Sequence, residues 1–348
     1  MTDDPQPLSG DGMHTRRQLL KLGGTVGLVG TLGFGYLYWD EGTSPTTATA
    51  LPAGTPAGME FVATGNAGEL LSESAVHTTF DDELDRQGVT EPADLGRLLG
   101  SIEQTTGIDP RTAGQIAGFG AVTGSGGNRG GFLVETNTEP ETVRSSLAAA
   151  DFLVEESEYE GYDLFVVGTD EFAQELTVCA LDDGEFGVGP RQEIEGVIDV
   201  REGVESGAGG AIDDAVGSAP AGPLQFGFLL PEDLFERLGA PSGSQIVGLG
   251  NLAYGYGSLN GGVLSVTIRA TSSSAADDLG SQLKAITTLL AGSGQSVVDL
   301  PATIREQLLD VLGGVEVERN GRLVQIRVPD GHRLVAIVVV YLLSLSEF

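Results

Sequence analysis

The chain has 348 residues, 40% of them hydrophobic, so it has the length and apolar content for one large core or two ordinary ones and is unlike an acidic disordered chain. Fifty acidic residues against 18 basic ones give a formal charge of −32, which leaves no basic patch to neutralise phosphates and argues against nucleic acid as a partner. One cysteine excludes an intramolecular disulfide framework.

Residues 1–14 read as a polar cytoplasmic tail. Thr15-Arg16-Arg17-Gln18-Leu19-Leu20-Lys21 follows, and then eighteen uncharged residues, Leu22 to Trp39. The first run resembles a twin-arginine export signal, whose pattern is Ser/Thr-Arg-Arg-x-hydrophobic-Leu-Lys. The resemblance implies that Arg16, Arg17, Leu19, Leu20 and Lys21 are read by the twin-arginine machinery and that the body folds before it is exported. The apolar run just reaches the roughly 17–25 residues that span a bilayer, and its six glycines make it only weakly hydrophobic. Tyr36, Tyr38 and Trp39 are aromatic residues of the kind that settle at a membrane interface, with Asp40 and Glu41 beyond them. The small residues a signal peptidase needs are missing there. Ala48-Thr49-Ala50 has the small-x-small form but lies nine residues past Trp39, so residues 15–39 are expected to stay as a membrane anchor, with a secreted form if they are cut. No cysteine precedes Cys179, which excludes a lipid-modified N-terminus.

Residues 40–58, rich in Thr, Pro and Ala, read as a spacer whose threonines could carry O-linked sugar. The body then opens with a strand over Glu60 to Thr64 and helical stretches over Gly68 to Ser74 and Asp81 to Gln87. A clearer helix runs from Asp94 to Thr105, with Leu95, Leu98, Leu99 and Ile102 on one face. Asp109-Pro110 reads as a further helix start leading to Ile116. Gly118 to Thr123 and Gly131 to Thr136 form a hairpin around Gly124 to Gly130, and Glu139-Pro140-Glu141 opens a helix that turns Val143 and Leu147 inward. Two further hairpins pair Phe152 to Ser157 with Leu164 to Gly168 and Leu176 to Ala180 with Phe186 to Gly189, before a helix over Arg191 to Val200.

The same order restarts at Leu224. A strand to Leu230 leads to a helix from Pro231 to Leu238, a hairpin of Leu252 to Ser258 with Gly262 to Ala270, and a helix from Ser273 to Ala291. A helix from Ile304 to Leu312 and a hairpin across Asn320-Gly321, a type I′ signal, complete it. The expectation is an α+β fold of two tandem strand-helix-hairpin-helix-hairpin repeats with mainly antiparallel sheets, preceded by the signal or anchor helix: residues 59–216 for the first repeat and 217–333 for the second. Residues 334–348 hold an apolar run of about twelve, too short to span a bilayer alone. It is expected as a buried strand or helix, with its β-branched residues favouring a strand at its start; a membrane-dipping or partner-docking segment is the alternative.

Two more resemblances bear on the body. Only Lys21 and Lys284 are lysines against sixteen arginines, and this acidic, lysine-poor composition resembles that of proteins from extreme halophiles, haloarchaea among them. Residues 57–64, Gly107-Ile108-Asp109-Pro110, Gly161 to Gly168, Glu185 to Gly189 and Glu193 to Asp199 resemble a group of exported or anchored prokaryotic envelope proteins classed only as a domain of unknown function. That resemblance implies a two-repeat α+β body and transfers no site residues.

No pattern specifies chemistry. His14, His77 and His332 lie far apart without metal-ligand spacing, and Cys179 sits in an apolar strand as a core thiol would. The loop Gly124 to Gly131 lacks the Gly-Lys-Ser/Thr ending of a phosphate cradle. Asp81-Asp82-Glu83-x-Asp85 and Asp182-Asp183-x-Glu185 could gather calcium but have the spacing of no calcium loop. No catalytic, cofactor or metal residue is assigned. The expected function is a non-enzymatic extracytoplasmic envelope protein that presents a binding surface for a partner protein or for an apolar ligand held between the repeats. The alternative is a secreted carboxylate-based hydrolase, which needs only two acids in one cleft.

Overall fold

The computed structural model describes residues 51–72, 74–88, 94–122, 128–149, 153–168, 176–182, 184–231, 249–293 and 302–345. Outside them lie His14, the export residues Arg16, Arg17, Leu19, Leu20 and Lys21, the run 22–39, the spacer to residue 50, most of the glycine-rich loop (123–127) and the helix expected beyond Pro231.

The fold is α+β, built on one large antiparallel sheet. In chain order come β1 (Phe61–Asn66), α1 (Ala67–Ser72), α2 (Ser74–Gln87), α3 (Leu95–Thr106), β2 (Gln115–Val122), β3 (Asn128–Glu135), α4 (Pro140–Ala149), β4 (Leu153–Tyr159), β5 (Tyr162–Gly168), β6 (Leu176–Asp182), β7 (Glu185–Gly189), α5 (Arg191–Arg201) and α6 (Ala211–Ser218). Then follow β8 (Leu224–Phe228), β9 (Leu252–Asn260), β10 (Val263–Ala270), α7 (Ser273–Ser293), α8 (Ala302–Leu312), β11 (Glu316–Asn320), β12 (Leu323–Val328) and α9 (Gly331–Leu345). The twelve strands among the described residues line up as β11-β12-β10-β9-β8-β1-β2-β3-β7-β6-β5-β4. The boundary expected between residues 216 and 217 falls inside α6, and the sheet runs across it through the β1–β8 pair. Both edge strands are charged, β4 with Glu155, Glu156 and Glu158 and β11 with Glu316, Glu318 and Arg319, which disfavours pairing with another sheet.

Local chemistry sets many of the boundaries. The Asp94 carboxylate accepts the Arg97 N–H at 2.7 Å to cap α3, and Gly107, at φ 75°, closes it in the left-handed region. Val76, Phe80 and Leu84 repeat every four residues, which buries one stripe of α2 and starts that helix earlier than Asp81. Glu160 and Gly161 both have positive φ, so β4 and β5 meet in a two-residue turn of the kind that matches strand twist, and both strands reach farther than expected.

Three expectations are corrected and one element is new. Asp109-Pro110 opens a single turn and no helix: the Asp109 carboxylate accepts the Arg111 N–H and its carbonyl the Thr112 N–H, after which β2 begins. Asn320 pairs with Leu323, so the turn residues are Gly321 and Arg322, and only Gly321 of these has positive φ, which rules out type I′. The short helix α6 lies between Val200 and Leu224, where no element was expected. The β-branched tail is helical from Gly331, because α9 lies between α2 and α8 where no strand edge is available to it.

Two layers of helices sandwich the sheet. On one face α1, α2, α3 and α4 cover the first half, with Phe80, Leu84, Leu99, Val143 and Leu147 packed on Ile116, Phe132, Phe165 and Phe186. On the same face α7, α8 and α9 cover the second half through Leu279, Ile304 and Ile337. The other face carries α5 and α6, whose Ile194, Val197, Ile198, Ile212 and Val216 pack on Val62, Phe119, Leu133, Leu164 and Cys179. The last part of the expected spacer belongs to this layer. Pro56 bridges Gly207, the Ala208 N–H donates to the Thr55 carbonyl at 2.8 Å, and Gly54 rests against Val197 and Arg201 of α5.

Candidate functional site

The seam where β1 meets β8 carries the feature that most resembles a binding place. Phe61 of β1 and Phe226 and Phe228 of β8 lie on one face of the sheet, since Phe61 is opposite Phe228 and Ala63 is opposite Phe226. Their rings form a row, with centroids 6.3 and 6.2 Å apart and planes tilted by 16° and 20°. The row is possible because the facing residues lack side chains: Phe226 is opposite Gly257 and Phe228 opposite Gly255 on β9, and Phe61 is opposite Gly120 on β2. A Cβ on Gly255 would run into the Phe228 ring, and one on Gly257 into the Phe226 ring and the Ser265 carbonyl. Ala63, Leu224, Leu259 and Leu264 complete an apolar floor. The three rings stay half-buried in the middle of the sheet, where the neighbouring Val62 and Leu259 are fully covered.

On the opposite face of the seam, the Tyr254 and Tyr256 rings lie 6.1 Å apart and tilted at 44°, and the Arg269 guanidinium sits 5.8 Å over the Tyr254 ring while donating to its hydroxyl. This arrangement satisfies itself and leaves no converging polar group.

The residues that sequence reasoning weighed for chemistry are dispersed. His77 lies on α2, with its Nε2 3.0 Å from the Leu71 carbonyl, and His332 lies in the first turn of α9. Cys179 is fully buried on β6, and burial pushes its thiol up to about 12 despite the pull of Arg201, so it stays a protonated core side chain near neutral pH. The four acids of α2 point different ways. Asp81 accepts the Leu95 N–H at 2.8 Å, Asp82 and Asp85 are exposed, and Glu83 is buried. Glu185, at the start of β7, is held by Arg201. Among the described residues no group of three or more His, Cys, Asp or Glu side chains converges as metal ligands would.

Two carboxylates are buried among the described residues, and they lie on opposite faces of the sheet. Glu193 of α5 forms a two-pronged pair with Arg129 of β3, at 2.8 and 3.0 Å, which holds the end of the glycine-rich loop against α5. Glu83 faces α8 and α9. Two tyrosines fasten the β4–β5 hairpin to α5 as well: Tyr159 donates to Asp199 and Tyr162 to Glu202, and these hydrogen bonds hold both phenols above their ordinary range.

The aromatic row was not visible beforehand. Its trace is the alternation Phe226-Gly227-Phe228 on one strand and Gly255-Tyr256-Gly257 on the next, which becomes meaningful only once the register sets each ring opposite a glycine.

No family model and no curated protein matches the chain. Among solved structures, crystal form I of TP0453 is similar, with a TM-score of 0.43 and 6% sequence identity, covering 86% of this chain and 99% of that chain. That likeness is too slight to carry an argument.

Proposed function

We propose that this is an extracytoplasmic envelope protein, exported through Arg16, Arg17, Leu19, Leu20 and Lys21, tethered by residues 22–39, and working without catalysis as a receptor for an apolar ligand in high salt. The observation that carries the reading is the half-buried row of Phe61, Phe226 and Phe228, an apolar strip with no charged partner at the seam of the sheet. An apolar ligand laid there gains roughly 25 cal/mol for each Å² of apolar surface it covers, and molar salt strengthens that gain. Among the residues whose side chains are described, Val204 is the one large hydrophobic that stands exposed, so the seam has little competition as an apolar surface.

The seam also supports an origin by duplication. Outward from the β1–β8 pair, β1-β2-β3-β7-β6 on one side and β8-β9-β10-β12-β11 on the other follow the same course, with β5 and β4 added at the first edge. In this reading the ligand lies where two related halves join.

The test is a titration of the folded body with Nile red, a neutral apolar fluorophore, in molar KCl. Saturable enhancement in the wild type that is lost in Phe61→Ser and Phe228→Ser, both of unchanged circular dichroism, is the expected result. A wild type with no saturable site, or variants that bind equally, would overturn the reading.

A further inference from the structure

Helix α9 joins the two halves of the helical layer. Its Val340 belongs to the core cluster of Phe80, Leu84 and Phe132, and its Ile337 to that of Ile304, Val311 and Val328. Polar groups lie beneath this apolar contact. Glu83 of α2 is fully buried, and its Oε2 accepts from Arg86 at 3.4 Å and from Gln307 Nε2 of α8 at 3.3 Å. One turn along α2, Gln87 donates its Nε2 to the Ile337 carbonyl of α9 at 3.2 Å. Three buried acceptor oxygens then remain without a donor: Glu83 Oε1, Gln87 Oε1 and Gln307 Oε1. Leaving such groups unpaired inside a protein is costly. A proton on Glu83 turns one of these three acceptors into a donor, which removes one unpaired oxygen and offers a hydrogen to a second.

We propose that Glu83 is a proton-operated clasp for α9: its neutral form locks α9 onto α2 and α8, and its ionisation loosens that helix. The charges that act on it are Asp82 and Arg86 on α2 and Arg333 on α9, and Arg333 is itself paired with Asp310 of α8 at 2.6 Å; His332 is the other titratable residue in the first turn of α9. Burial pushes the Glu83 carboxyl above its ordinary value near 4.5, against the opposing pull of Arg86 and Arg333. An acid raised in this way binds its proton more tightly in the folded state. Its contribution to stability is therefore complete below about 4.5 and is lost as the pH rises through the folded value.

Hydrogen exchange on the full chain in molar KCl, corrected for the intrinsic pH dependence of exchange, reads the clasp directly. Protection of residues 331–345 should fall with rising pH by up to about tenfold per unit, the limit for one linked proton. Glu83→Gln, which carries a permanent donor, should hold that protection flat, and His332→Gln should keep the wild-type fall. Flat protection in the wild type, an equal fall in Glu83→Gln, or loss of the fall in His332→Gln overturns the proposal. If Glu83→Gln does not fold, the infrared band of a protonated carboxyl in the wild type, above the pH at which exposed acids ionise, takes its place: its presence supports the clasp and its absence refutes it.

Discussion

Replacing Arg129 by alanine strands the buried carboxylate of Glu193. The pair is two-pronged at 2.8 and 3.0 Å, with the glutamate side chain 3% exposed and the arginine 39%. Removing one partner of a fully buried pair costs about 3–5 kcal/mol, because the remaining charge is left without solvent or counter-charge. Water reaches Arg129 and already screens part of the attraction, so the expected loss is lower, roughly 2–3 kcal/mol. Urea unfolding in molar KCl measures it as a fall in midpoint at unchanged slope. The double variant Arg129→Met/Glu193→Met should recover most of the loss, since it removes the stranded charge together with its partner. Arg144→Ala, which breaks the exposed pair with Glu156, should leave the midpoint where it was. An Arg129→Ala protein as stable as the wild type, or a double variant less stable than the single one, would refute the reasoning.

Dilution from molar salt to 10 mM lengthens the screening distance from about 3 to about 30 Å, so a chain of charge −32 should lose its circular dichroism; retained structure would contradict a salt-adapted surface. Arg16→Lys/Arg17→Lys should hold the protein in the cytoplasm, and normal export of that variant would refute the address. Cys179 should stay unreactive toward a thiol reagent at pH 8 until the protein unfolds, because burial keeps its thiol protonated up to about 12; fast labelling of the native state would show an open strand.

The α+β class and most elements were legible because their signals are local. Asp94 and Gly107 bracket α3, and Val143 and Leu147 point inward from α4 as their spacing requires. What could not be read depends on contacts distant in sequence. The run Ile337 to Val340 has strand propensity, yet the groove between α2 and α8 accepts only a helix, and packing overrides propensity there. Hairpins announce themselves, but nothing in the chain says that β7 returns to β3 or that β8 joins β1. The aromatic row needs that second pairing before Phe61, Phe226 and Phe228 come together. Glu83 was hidden differently: in an acidic run on an acidic chain it looks like surface, and only the packing of α8 and α9 against α2 makes it the buried member.

The reading of the seam as a receptor surface is tested most directly by native mass spectrometry of the protein isolated from its own cells in high salt. The account predicts an apolar small molecule that travels with the wild type and is missing from Phe228→Ser. A wild type that carries no such molecule, or a variant that keeps it, would contradict the account.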